Sequence, residues 1–119
     1  MDVTHLIDLI KKHPDYHRAG MILCHNGVVR DTSRDGRKVS GLTLSVDHEK
    51  LRQVLETYKR KPGIVEILVE IAENTNLAVG DDVMLLVVAG DIRENVITVL
   101  SDTLNAIKTS VTQKTEFFV

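Results

Sequence analysis

The sequence holds one cysteine, two prolines, no tryptophan and only 3% aromatic residues. Cys24, standing alone, can form no internal disulfide, which fits a reducing, cytoplasmic setting. So few rings leave no stacking platform for nucleic-acid bases. A net charge of −2 and a pI of about 6.2 provide no general attraction to nucleic acid or to an anionic membrane. No apolar run approaches the roughly 20 residues of a membrane helix, and Met1-Asp2-Val3-Thr4-His5 lacks a signal-peptide pattern. Neither nucleic acid nor a membrane is therefore an expected partner, and any basic site must be local.

Metal ligation is equally short of support. His13 and His17 are four apart, but Pro14 between them breaks the helix that would align them. No Cys pair or His-Glu-x-x-His spacing accompanies them, and His5, His25 and His48 are isolated. No bound metal or other cofactor is expected. Cys24 sits in an apolar stretch, where the ordinary reading is a buried, inert thiol. There is no Gly-rich phosphate loop after a strand and no nucleophile elbow.

What remains is a chain of 119 residues, 43% apolar and 27% charged, long enough for one core without staples. Thr4 to Lys12 reads as a short helix, stopped by Pro14. Met21 to Val29 reads as a strand, with Gly27 marking a bulge or close backbone approach. Arg30 to Lys38 is a polar loop. Val39 to Val46 alternates, with Leu42, Leu44 and Val46 on one side, as a half-buried strand does. Asp47 is a good N-cap for a helix carrying Leu51, Val54, Leu55 and Tyr58, closed before Pro62-Gly63.

Ile64 to Ile71 is a further strand, and Asn74 to Asp82 a loop with Gly80-Asp81 at its turn. Val83 to Ala89 is continuously apolar, which predicts a central strand covered on both faces. Val96, Ile97, Leu100, Leu104 and Ile107 then form the stripe of a helix from Arg93 to Lys108, and Thr112 to Val119 reads as a last extended segment. The order αββαββα(β), with no repeat or long linker, predicts a single α+β domain over residues 1–119: an open sheet with helices packed against it.

The stretch from Ala89 to Lys114 carries the strongest hint of function. Gly90-Asp91 offers a turn and a carboxylate near free backbone N–H groups. Lys108 suits the negative end of the helix, whereas Arg93 stands at the positive end, where anions are favoured. Arg93 is thus either a solvated surface residue or part of an anion site. The two cations are fifteen positions apart, which on a continuous helix is about 22 Å. If both serve one chemistry, a second copy of the chain completes the site. Arg30 directly follows a strand, and Lys114 lies near the chain end. Two arginines can hold a phosphate or carboxylate bidentately, and a lysine beside them supplies a base or nucleophile. The same four residues also read as ordinary solvated charges.

Gly27-Val28-Val29-Arg30 after a strand, followed by Val39 to Leu44, resembles the opening of the large, catalytic subunit of molybdopterin synthase, the MoaE family. The resemblance runs over residues 18–117, leaving 1–17 as an N-terminal helix and connector. It continues through Val79-Gly80-Asp81-Asp82-Val83, Arg93 and Asn105-Ala106-Ile107-Lys108. Gln113-Lys114-Thr115-Glu116 is similar to that family's Trp-Lys-Lys-Glu ending. Ile92 stands where the family usually has histidine, and the interval from Lys108 to Lys114 is one residue shorter.

The resemblance implies an α/β-hammerhead fold, a homodimer, and a ubiquitin-like small subunit (MoaD type) ending in Gly-Gly as partner. It implies a sulfurtransferase of molybdenum cofactor biosynthesis. Sulfur would pass from the partner's C-terminal thiocarboxylate to cyclic pyranopterin monophosphate. By position, Lys108 would be the catalytic lysine and Lys114 its partner, while Arg30 and Arg93 would bind substrate. The alternative it leaves open is a non-catalytic homologue that binds the small subunit or a pterin-like anion without turnover.

Overall fold

A computed structural model describes residues 1–119 as three α-helices packed on two antiparallel sheets of three strands each. The elements are α1 (Val3–Lys11), β1 (Met21–Val28), β2 (Val39–Val46), α2 (His48–Lys59), β3 (Ile64–Ile71), β4 (Leu77–Ala78), β5 (Asp82–Gly90), α3 (Arg93–Ala106) and β6 (Thr112–Phe118). A 3-10 turn (Tyr16–Arg18) precedes β1, and a π-helical turn (Ile107–Val111) joins α3 to β6. No helix is long and apolar enough to cross a membrane.

The first sheet has the order β1-β5-β3, and β5 at its centre is the apolar run expected there. Met84 through Gly90 are all buried. Leu85, Val87 and Ala89 face α1, where Leu6 and Ile10 close one core. Met84, Leu86 and Val88 face α3 and form the larger core with Ile67, Val96, Val99, Ile107 and Val111. Each fully buried Val, Leu or Ile side chain stabilises the fold by about 1.5–3 kcal/mol. A strand apolar on both faces is therefore the natural centre of the molecule.

The second sheet, β4-β2-β6, is separate. The single open sheet anticipated from element order is therefore two sheets. β2 bonds to the chain's last strand and to the two-residue β4, and none of its ladder goes to β1, its neighbour in sequence. These are long-range pairings, which local pattern cannot encode. Leu42, Leu44, Leu77 and Val29 form a third, smaller core beneath this sheet.

Local signals hold elsewhere. The β1–β5 register shifts between Gly27 and Val28, the bulge that Gly27 predicted. Asp47 caps α2, its carboxylate accepting a hydrogen bond from the Lys50 N–H at 3.1 Å. On α3 the buried face is rotated from the expected stripe. Val96, Val99 and Thr103 are buried and continue to Ile107, whereas Ile97 is 50% exposed. Both sets of positions satisfy a helical period, and contact with β5 selects the second.

Candidate functional site

The two expected lysines reach one place by different routes. Lys108 lies in the π-helical turn, between buried Ile107 and Val111. A π turn holds one more residue than an α turn and is frequent at functional sites. Hydroxyls bond the carbonyls around the widened turn: Ser110 Oγ donates to Ala106 O (2.6 Å) and Thr109 Oγ1 to Asn105 O (2.8 Å). Ile107 and Val111 stay anchored in the core, and Lys108 is left projecting.

Lys114 arrives through strand register. In an antiparallel pair, directly opposed residues point to the same face of the sheet. Lys114 is opposite Leu44, and Glu116 is opposite Leu42. Both leucines are core residues, so Lys114 emerges on the inward face of the second sheet. Its ammonium stands 3.7 Å from Glu116.

Lys108 and Lys114 line the same cavity, of about 350 Å³, at the junction of the two sheets. Leu42, Leu44, Val83 and Met84 give it an apolar lining, and no acidic residue lines it. Three further polar residues line it, His25, Arg34 and Thr112. His25 lies on β1, opposite Leu86, and shares a face with Gly27. A methyl group at position 27 would stand 3.2 Å from His25 Nε2, so the glycine leaves the imidazole its room. Burial lowers the His25 pKa from its ordinary 6.5, and the charge of Lys108 lowers it further. The neutral form of the imidazole is thereby favoured.

The two expected arginines lie outside this cavity. Arg30 follows buried Val29, but its Nε donates to the Thr32 carbonyl at 2.8 Å, within its own loop. Arg93 begins α3, far along the helix from Lys108. Its side chain is 79% exposed and pairs only with the adjacent Glu94, at 3.3 Å. Asp91 already provides an anion at this end of α3, accepting from the Ile92 N–H at 2.7 Å and from Asn95 Nδ2 at 2.9 Å. These bonds, that from Asn95 foremost, hold its carboxyl below the usual range. Ile92, where histidine was expected from the resemblance, is 53% exposed.

Other sequence readings find their places too. Cys24 is exposed, correcting the reading of a buried thiol. It lies on an edge strand, and the apolar surroundings it does have push its thiol pKa up. His13 is a connector: its Nδ1 accepts from the Asp15 N–H (3.0 Å) and its Nε2 faces Glu66 at 3.8 Å.

His25 and Arg34 were missed as site residues. His25 had a readable signal, being a titratable residue on the same strand face as Met21, Leu23 and Gly27. Arg34 had none, as one cation among several in a polar loop.

A protein-family model described as "MoaE protein" matches residues 1–110 of the chain. Among solved structures, the chain is similar to molybdopterin synthase from Staphylococcus aureus, with 20% identity and a TM-score of 0.72 over 86% of this chain and 77% of that one. It is similar to a molybdopterin biosynthesis MoaE protein from Burkholderia ambifaria MC40-6, with 17% identity and a TM-score of 0.77 over 100% of this chain and 82% of that one. A third similarity is to the complex of subunits 1 and 2 of molybdopterin-converting factor from Helicobacter pylori 26695 (16% identity, TM-score 0.72, 100% and 84% covered). At these identities the likeness is one of fold. No curated protein matches the chain.

Proposed function

The chain belongs to the MoaE family, and on that premise we propose that it is the large subunit of a molybdopterin synthase. In this reading it transfers sulfur from the thiocarboxylated Gly-Gly end of a ubiquitin-like small subunit to cyclic pyranopterin monophosphate. The observation that carries the proposal is the meeting of Lys108 and Lys114 in one cavity that no acidic residue lines. Both reactants are anions, and acyl-sulfur transfer between them needs cations to draw them together and a group to move protons. Lys108, held on a turn anchored by two core residues, is the proposed catalytic group. Lys114, on the inward face of β6, is its partner towards the thiocarboxylate.

Arg93 enters this reading only through a second copy of the chain, because α3 separates it from its own Lys108. A homodimer that brings one copy's Arg93 near the other's cavity would give Arg93 a substrate-binding role, and Arg30 would act from the loop that joins β1 to β2. Light scattering at micromolar concentration is expected to give twice the chain mass. A monomer would remove Arg93 from the site.

The decisive assay combines the chain with thiocarboxylated small subunit and the cyclic pterin precursor. Dithiolene formation is expected, and its loss in Lys108→Ala. A second reading, binding without turnover, draws on Ile92, which places an exposed apolar side chain where a proton carrier was expected. Tight binding of the small subunit with no product, under conditions where a standard enzyme works, would establish that reading instead.

A further inference from the structure

We propose that Arg34 is the oxyanion anchor of the Lys108–Lys114 cavity, fixing the substrate's phosphate or the partner tail's carboxylate by a bidentate contact. The inference rests on the reading of this cavity as a site for anionic reactants and names the residue that orients them.

The loop between β1 and β2 is built in a way that singles out this residue. Ser33 is buried, its N–H donates to Arg37 O at 2.9 Å, and its hydroxyl donates to the Asp35 carboxylate. Gly36 closes the turn at φ +86°, donating to Ser33 O at 3.0 Å. Arg37 pairs with Asp35 at 2.9 Å, and its guanidinium lies 3.8 Å above the Phe118 ring. Thr32 and Lys38 bridge the base of the loop. Arg34, by contrast, makes no ion pair or side-chain hydrogen bond within the chain. It lines the cavity together with the two lysines.

The ordinary account of an exposed arginine is a solvated charge. Here three cations from three separate elements line one cavity, and the one carboxylate paired with any of them, that of Glu116 at 3.7 Å from Lys114, is not among its lining residues. Like charges so placed repel, and an oxyanion among them removes that repulsion. A guanidinium offers paired donors matched to two oxygens of phosphate or carboxylate, which ammonium groups do not. The hydrogen-bonded turn holds the Arg34 backbone in place beforehand, so binding orders only its side chain.

The test uses the imidazole of His25 as a reporter inside the cavity. The groups lining the cavity around it are Lys108 from the π turn, Lys114 from β6 and Arg34 from the loop. Its NMR signals would be followed in the full chain as inorganic phosphate, acetyl-Gly-Gly or the neutral acetyl-Gly-Gly amide is added. Phosphate or the free-acid peptide is expected to shift His25 saturably and raise its titration midpoint, while the amide does not. Arg34→Gln is expected to weaken that binding at least ten-fold and Arg34→Lys to weaken it less. Arg52→Gln, on the exposed side of α2, controls for net charge and is expected to change nothing.

A response to phosphate alone assigns Arg34 to the substrate, and one to the peptide alone assigns it to the tail. Unchanged affinity in Arg34→Gln, or no saturable response to either anion in the unmodified chain, overturns the proposal. In the sulfur-transfer assay, Arg34→Gln is expected to raise the KM of whichever reactant Arg34 holds, with kcat largely kept. Sulfur transfer with an unaltered KM would leave the enzymatic reading standing and remove Arg34 from it. Arg34-dependent anion binding without sulfur transfer would do the reverse.

Discussion

His25 and Lys108 share a cavity, and the lysine's charge is the second cause, after burial, of the lowered pKa of the imidazole. The unfolded chain therefore takes up this proton before the folded one as pH falls. Stability is expected to decline as pH drops below the ordinary value of 6.5 and to stop declining on this account below the folded value. An NMR titration of His25 should give a midpoint under 6.5. In Lys108→Met the midpoint should rise without reaching that value, because burial is the larger cause. An identical midpoint in the variant would show that the lysine's charge does not act there.

Asp91 gives a pH dependence of the same sign, at lower pH. Its carboxyl is held below the ordinary 3.8 by Asn95 and the Ile92 N–H. The stability it contributes is present above that ordinary value and lost as pH falls through the lower folded value. Asp91→Asn should lower the unfolding temperature at pH 7, and the gap to the parent chain should narrow in acid. A gap of constant size between pH 7 and pH 2 would assign the effect to shape instead of charge.

Thr103 is fully buried in the last turn of α3, and its Oγ1 has no hydrogen-bond partner. An unsatisfied buried hydroxyl is a desolvation loss of about 1–3 kcal/mol. Thr103→Val keeps the shape and removes the loss, so it should stabilise the chain by about 1 kcal/mol. Urea unfolding reads this as a higher midpoint with an unchanged slope. A lower midpoint would mean that the hydroxyl is bonded in solution.

Gly63 and Gly36 allow a controlled comparison of backbone strain with crowding. Both have positive φ, +81° and +86°. A methyl group at Gly63 would collide with the Asp91 carboxylate and the Asn95 amide, whereas one at Gly36 would meet nothing within 4 Å. Gly36→Ala should destabilise by about 1 kcal/mol through φ alone. Gly63→Ala should destabilise by roughly twice that or more, since it also displaces the carboxylate at the start of α3. Equal losses in equilibrium unfolding would argue that Asp91 moves aside freely.

Much of the architecture was legible in the residues themselves. The Val83–Ala89 run pointed to a strand covered on both faces, because seven successive apolar residues are short for a buried helix and fit a central strand. Gly27 marked a bulge or a close backbone approach and Asp47 a cap, since each answers a requirement of its immediate neighbours. Lys108 and Lys114 were singled out through family resemblance and a charge at a helix end, and both line the cavity. His25 carried a weaker signal, a titratable side chain in step with apolar ones.

Other features depend on contacts between residues far apart in the chain. Pairing of β2 with β6 divided the strands into two sheets, and nothing near residues 39–46 specifies residues 112–118 as partner. The buried face of α3 was set by its fit to β5, between two stripes of equal period. The sequence by itself determined the elements and the basic residues available, because helix period, strand alternation, caps and turns are local physics. Only the tertiary structure decided which charges meet. Helix geometry alone already separated Arg93 from Lys108; the fold gathered Lys108, Lys114, His25 and Arg34 around one cavity, because that gathering depends on long-range strand register and on where a loop closes.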